Sequence, residues 1–157
     1  MSNFDQLPKN IKEYIRNKKE PLLDGYIRFL GEEEIAEITD IVNGSSVWNG
    51  GIPFAVTAFG DVFVWEGGYV FLYQFTDSDY NVILSGTDFF FENIEDEDYQ
   101  ADFFDLALYQ KSVDKYGEIN ESECFILEPV PALGGTRELK YVHVGDMKTY
   151  LSLLTQF

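Results

Sequence analysis

The sequence predicts an α+β fold in one domain, an antiparallel meander sheet with helices packed on it. From Phe54 to Ser85 apolar residues recur at every second position in β-branched and aromatic types, the pattern of a pleated surface. Apolar stripes at three- and four-residue spacing flank that region on both sides, as helices require. The chain has 157 residues and 45% hydrophobic content, which suits a single core, because a chain of this length buries roughly 70% of its extended surface on folding. With an aromatic fraction of 17%, that core is one of packed rings.

Each element has its own signal. Pro8 opens a helix over 8–19, with Ile11, Tyr14 and Ile15 as its stripe and basic residues crowding its end. Glu20 and Pro21 stop it, and segment 22–30 reads equally as strand or short helix. Acids in the first turn, with Ile35, Ile38 and Val42 along one side, predict a second helix over 32–42, ended by Asn43 and Gly44. Residues 1–51 thus form a short helical N-terminal part. In the sheet, Val62–Trp65 and Tyr69–Tyr73 flank a Gly67–Gly68 hairpin turn, Tyr80–Ser85 follows, and Phe54–Phe59 is a possible fourth strand joined through Gly60 and Asp61. Val70 and Leu72 alternate with Tyr69, Phe71 and Tyr73, so both faces need cover. A long helix is expected over 98–116, closed by Gly117 in a left-handed conformation. After it come a short apolar run from Cys124 to Leu127, the stiff Pro129–Pro131 segment and the Gly134–Gly135 turn. A strand at Tyr141–Val144 precedes a final helix over 146–155, capped by Asp146 and carrying Met147, Tyr150, Leu151 and Leu154 on one side.

Charge narrows the function. Lys and Arg number 11 against 28 Asp and Glu, a net charge of −17, which argues against nucleic acid and against anionic membrane as partners. Between Arg28 and Lys111 there is no basic residue, and the 17 acids from Glu32 to Asp105 equal the whole net charge. Such a span is either a solubility feature or a one-sided negative field that meets a positive partner. Glu95, Asp96, Glu97, Asp98 and Asp102 cluster at one helix start and are the expected centre of a binding face, although the helix dipole alone favours some of them there.

Catalytic signals are thin. One cysteine excludes an intrachain disulfide and fits a reducing cytoplasm. The N-terminal residues lack a basic start and an apolar run, and no stretch is apolar enough to cross a bilayer, so a cytoplasmic protein is expected. Cys124 and His143 are the only pair from which a nucleophilic dyad could be built, and a small enzyme using them or a carboxylate pair is the alternative reading. Buried packing of Cys124 and a strand position for His143 explain both residues without catalysis, and no catalytic residues are assigned. Neither metal nor cofactor is expected: one Cys and one His cannot make a zinc set, and the acids from Asp77 to Asp88 lack the glycine that a calcium loop turns on, with Val82 in its place. Gly134–Gly135 lacks the flanking pattern of a phosphate loop.

Longer strings are more specific. Ile52–Trp65 with its Thr57-Ala58-Phe59-Gly60-Asp61 core, Phe89-Phe90, Glu123-Cys124-Phe125, Pro129, Leu133-Gly134-Gly135 and Tyr150–Leu154 occur in this order. Together they resemble the C-terminal domain family of type VI secretion immunity proteins, typified by immunity to a DNase toxin and often preceded by a GAD-like segment. The resemblance runs over 52–157. It implies structural roles for Gly60, Asp61, Trp65, Pro129, Gly134 and Gly135, and a non-enzymatic cytoplasmic protein that neutralises a cognate toxin by binding it. A regulatory binding module without a toxin is the other non-catalytic alternative. A nuclease carries basic surface to hold its substrate, so an acidic inhibitor is steered to it.

Overall fold

The computed structural model describes residues 3–156, and the fold is α+β as the sequence predicts. A 3-10 turn, Asn3–Gln6, buries Phe4 ahead of helix α1 (Lys9–Asn17), which buries Ile11 and Ile15. Segment 22–30 resolves into a 3-10 turn, Leu23–Gly25, and strand β1 (Ile27–Phe29). Helix α2 (Glu32–Val42) has the predicted ends, with Glu32, Glu33 and Glu34 in the first turn, where the exposed N–H groups favour carboxylates.

Strands β2 (Ile52–Thr57), β3 (Val62–Glu66), β4 (Tyr69–Gln74) and β5 (Asp79–Ser85) complete the main sheet, ordered β1-β2-β3-β4-β5 with antiparallel neighbours. The N-terminal part is therefore not only helical: through β1 it supplies an edge of the sheet. Gly67 and Gly68 have φ of 60° and 88°, the two positive values that a tight hairpin matching the strand twist requires.

One helix is drawn too long by the sequence. The stretch read as a helix over 98–116 is two helices, α4 (Glu97–Phe103) and α5 (Leu106–Tyr116), preceded by a short α3 (Phe90–Ile94). Phe104 is extended at the break, and Asp105 starts the second helix by accepting a hydrogen bond from the Leu108 N–H. Its own N–H donates to the Tyr26 hydroxyl at 3.1 Å. The break lets the Phe104 ring turn inward, 5.4 Å from Tyr26 and 6.1 Å from Phe63 between centroids. Gly117 ends α5 with φ of 83°, as expected, but with ψ of −179°, so the chain leaves the helix extended.

Strands β6 (Glu123–Leu127) and β7 (Val142–Asp146) pair antiparallel as a separate ribbon, and helix α6 (Met147–Leu154) follows, capped by Asp146. The Phe125 N–H donates to the Ala58 carbonyl at 2.7 Å, tying the ribbon to the end of β2. Between the ribbon strands, Gly135 packs so tightly that a Cβ there would collide with the Pro129 carbonyl, which requires glycine at that position.

The core is the expected set of rings. Phe63 and Leu72 lie opposite each other in the sheet, and Phe90 of α3 covers them, its ring within 5.6–6.2 Å of Phe29, Phe54 and Phe63. On the other face Tyr73 stacks on Tyr80 at 4.9 Å and meets Trp48 from the segment after α2. The first face is thus buried, and the second is covered only in part, since Tyr69 and Val82 stay exposed.

Candidate functional site

The acids between Arg28 and Lys111 do not share one fate. Five of the 17 meet bases from elsewhere in the chain. On α2, Glu32 is beside Arg16, Glu34 beside Arg28 and Lys19, and Glu37 beside Lys148; Asp77 and Asp105 both face Arg137. Three of the five carboxylates of helix α2 are thereby paired, because folding brings in bases that the sequence lacks locally.

The five residues singled out at the helix start differ. Glu95, Asp96, Glu97, Asp98 and Asp102 are all exposed, and among the described residues none of them takes part in an ion pair. Asp96 has a structural task as well, accepting hydrogen bonds from the Asp98 and Tyr99 N–H groups at 3.0 and 3.1 Å as the α4 N-cap. The α3–α4 segment therefore presents a ridge of unneutralised carboxylates held on a helix that the Tyr99 and Phe104 rings anchor to the core.

Beneath this ridge lies a buried charged centre. Asp61 follows Gly60, whose φ of 83° makes the turn between β2 and β3, and the Gly60 N–H donates to the Thr57 carbonyl at 3.0 Å. The Thr57 hydroxyl donates to Asp61 Oδ2 at 3.1 Å and accepts from the Phe59 and Asp61 N–H groups. The Thr57–Asp61 string is thus a self-contained turn that carries a carboxylate into the interior. Asp61 is 1% exposed, and its Oδ1 has no hydrogen-bond partner. Burial pushes its pKa up to about 6, against the opposing pull of Arg137 and the Thr57 hydrogen bond, while Asp77 adds to the rise.

Arg137 enters from the segment after Gly134–Gly135. It lies 3.6 Å from Asp77 Oδ2 and 3.8 Å from Asp105 Oδ2, donates to Thr76 Oγ1 at 3.4 Å, and has its guanidinium 5.9 Å from the Phe59 ring centre. Burial works against its charge, but Asp61, Asp77 and Asp105 outweigh burial and hold it firmly protonated. Tyr26 is fully buried beside the group, and burial raises its pKa. A cavity of about 200 Å³ opens here, lined in part by Asp61, Gln74, Asp102, Asp105 and Arg137. The sequence marked Asp61 and the double glycine as structural and missed Arg137, Tyr26 and Asp105. A buried carboxylate implies a buried cation, so an arginine just past the Gly134–Gly135 turn was the available signal.

Other motif residues have local duties. Trp65 is half-buried on β3 opposite Val70, and Pro129 leads out of β6. A larger groove of about 520 Å³ runs between the Leu23–Gly25 turn and the segment after α5. Asp24, Glu118, Glu121 and Glu123 line it against Arg28, so it shares the negative sign of the ridge.

The Cys124–His143 dyad is not assembled. Cys124 is opposite Gly145 and His143 opposite Ile126; Cys124 is fully buried, as expected, whereas His143 is exposed with Nε2 2.8 Å from Glu128 Oε2. Burial, with Asp146 and Asp61 nearby, pushes the Cys124 thiol up to about 12, which removes the thiolate that nucleophilic chemistry needs. Native protein is therefore expected to resist a disulfide-exchange reagent at mildly alkaline pH, with Cys124 labelled only as the chain unfolds. Labelling at the rate of a free thiol would show the site to be open. Among the described residues no three His, Cys, Asp or Glu side chains are placed to hold a metal, and no helix is long and apolar enough to cross a membrane.

Comparisons with known proteins bear on family and fold. A crystal structure of Atu4351 from Agrobacterium tumefaciens is similar with a TM-score of 0.67 over 98% of this chain and 79% of that one, at 13% identity, which speaks for the fold alone. No curated protein matches. The model of the family described as T6SS immunity protein Tdi1, C-terminal, matches residues 84–157, a shorter stretch than the 52–157 read from the strings, and it takes in the α3–α4 ridge, Arg137 and the β6–β7 ribbon. Over that stretch the family is the one the sequence resembles, that of type VI secretion immunity proteins.

Proposed function

We propose that this chain is a non-enzymatic, cytoplasmic immunity protein that binds and neutralises a cognate basic toxin such as a nuclease, with the α3–α4 ridge as its contact surface. The family match over 84–157 is the observation that carries this reading. Physical chemistry supports the choice of surface. Glu95, Asp96, Glu97, Asp98 and Asp102 are exposed and without ion pairs, so their field reaches solvent undiminished by internal bases. A nuclease holds its polyanionic substrate on Lys and Arg, and an acidic ridge competes for the same residues. Complementary charge of this kind raises association rates more than it raises intrinsic affinity, which suits an inhibitor that must capture its target before damage is done. The buried, protonated Cys124 supports the non-enzymatic half of the reading.

The test is survival. Bacteria expressing type VI effector nucleases, including any found encoded beside this gene, are scored with and without the chain. The expected result is rescue from one cognate toxin, with a stable complex of the purified pair. Rescue without a complex would point to an enzymatic or regulatory role, and no rescue from any effector would contradict immunity.

A further inference from the structure

We propose that the cavity under the α4–α5 break is an anchor pocket for one cationic side chain, a lysine or arginine of the protein partner. The proposal rests on the immunity reading for the partner's nature, and on the geometry of the cavity for the rest.

The unpaired oxygen comes first. Asp61 Oδ1 is buried at a residue 1% exposed and has no hydrogen-bond partner. Gln74 favours the charged carboxylate as a hydrogen-bond donor, and Arg137 attracts it while making its own direct contacts to Thr76, Asp77 and Asp105, yet Oδ1 itself is left without a hydrogen-bond partner. A buried carboxylate oxygen without a donor is a standing penalty that a guest N–H group would relieve. The site then selects its guest by sign. Asp61, Asp102 and Asp105 line the cavity and Asp77 stands behind Arg137, four carboxylates against one guanidinium. An anion is repelled, and an apolar guest leaves Oδ1 unsatisfied. A divalent metal is opposed by Arg137 and lacks a set of three ligating side chains among the described residues.

Shape points the same way. The rest of the wall is aromatic, with Tyr26, Phe103 and Phe104. A lining that combines aromatic rings with the buried Asp61 carboxylate matches a long aliphatic or planar stem with a charged head. Asp102, exposed and unpaired, belongs both to the rim and to the ridge, so the ridge's field leads a cation to the opening.

The experiment uses the full chain labelled for NMR, titrated with Nα-acetyl-arginine amide and Nα-acetyl-lysine amide, with Nα-acetyl-citrulline amide as an uncharged match in shape. Saturable shifts at Gly60, Asp61, Asp102 and Asp105 are expected for a charged probe, with citrulline at least about tenfold weaker. Asp61→Asn is expected to weaken the charged probe by about tenfold or more, and the rim variant Asp102→Asn by a few-fold, both with native spectra. Equal binding of citrulline, shifts confined to other surfaces, or an unaffected Asp61→Asn variant would each overturn the pocket. Tighter binding of spermidine than of either amino acid would assign the cavity to a free polyamine and overturn it too. Against a toxin that the wild type neutralises, Asp61→Asn should lose at least about tenfold in affinity. Unchanged affinity there overturns the pocket and leaves immunity standing, whereas a probe that binds at Asp61 when no toxin is neutralised upholds the pocket and removes the immunity reading.

Discussion

Phe90→Ala is expected to destabilise the protein by about 3–5 kcal/mol, the range for deleting a buried phenylalanine side chain. Phe90 has no exposed surface, and its ring meets Phe29, Phe54, Phe63 and Phe91 at 5.4–6.2 Å, all four contacts edge-on. Four rings cannot close over the void without leaving their rotamers, so the lost transfer energy is joined by a cavity term and by the loss of aromatic pair energies. Urea unfolding measures it: the midpoint should fall with an unchanged slope. A loss below about 1 kcal/mol would mean that α3 is not packed over the sheet as described.

Asp61→Asn is expected to change stability by an amount that depends on pH. The folded carboxyl has its pKa raised to about 6 from its ordinary value of 3.8. In the window between these values the native state binds more protons than the unfolded state, so the contribution of Asp61 to stability is full below about pH 4 and is lost as pH rises through 6. The variant does not titrate there. It should therefore gain on the wild type progressively from about pH 4 to pH 7, by roughly 2–3 kcal/mol in all. The groups facing Asp61 are Arg137, Asp77, Asp105, Tyr26, Tyr150 and Cys124, and of these Tyr26, Tyr150, Cys124 and Arg137 all have their pKa raised, away from the window. Melts across that range test this, and a pH-independent difference would mean that Asp61 is ionised throughout or reached by solvent.

What the sequence made legible was whatever repeats locally. The two-residue period of β2–β5, the acidic start of α2 and the Asp146 cap of α6 are near-neighbour signals, and each lies where it was expected. Strand β1 was not legible, because three residues are too few to show a period and its stability comes from pairing with Ala55–Thr57. The break at Phe104 was hidden since the apolar stripe continues across it; a distant hydroxyl, that of Tyr26, holds the Asp105 N–H and fixes the stop. Charge was the least legible of all. A span without Lys or Arg looks uniformly negative, yet Arg16, Lys148 and Arg137 fold onto it, leaving the α3–α4 ridge as one part to which no base is brought. Asp61 was visible only as a turn residue, since its burial depends on Arg137, far away in the sequence.

The most direct measurement of the ridge's role is the association rate of the purified chain with its neutralised toxin as ionic strength rises from roughly 0.02 to 0.5 M, a range over which the screening length falls severalfold. It is made for the wild type and for a variant with Glu95, Asp96, Glu97, Asp98 and Asp102 replaced by their amides. Wild-type association should fall steeply with salt, and the variant should associate about tenfold or more slowly at low salt with a flattened dependence, its melting point nearly unchanged because the side chains are exposed. If the variant associates at the wild-type rate at low salt, the ridge serves solubility and the contact surface lies elsewhere on the molecule.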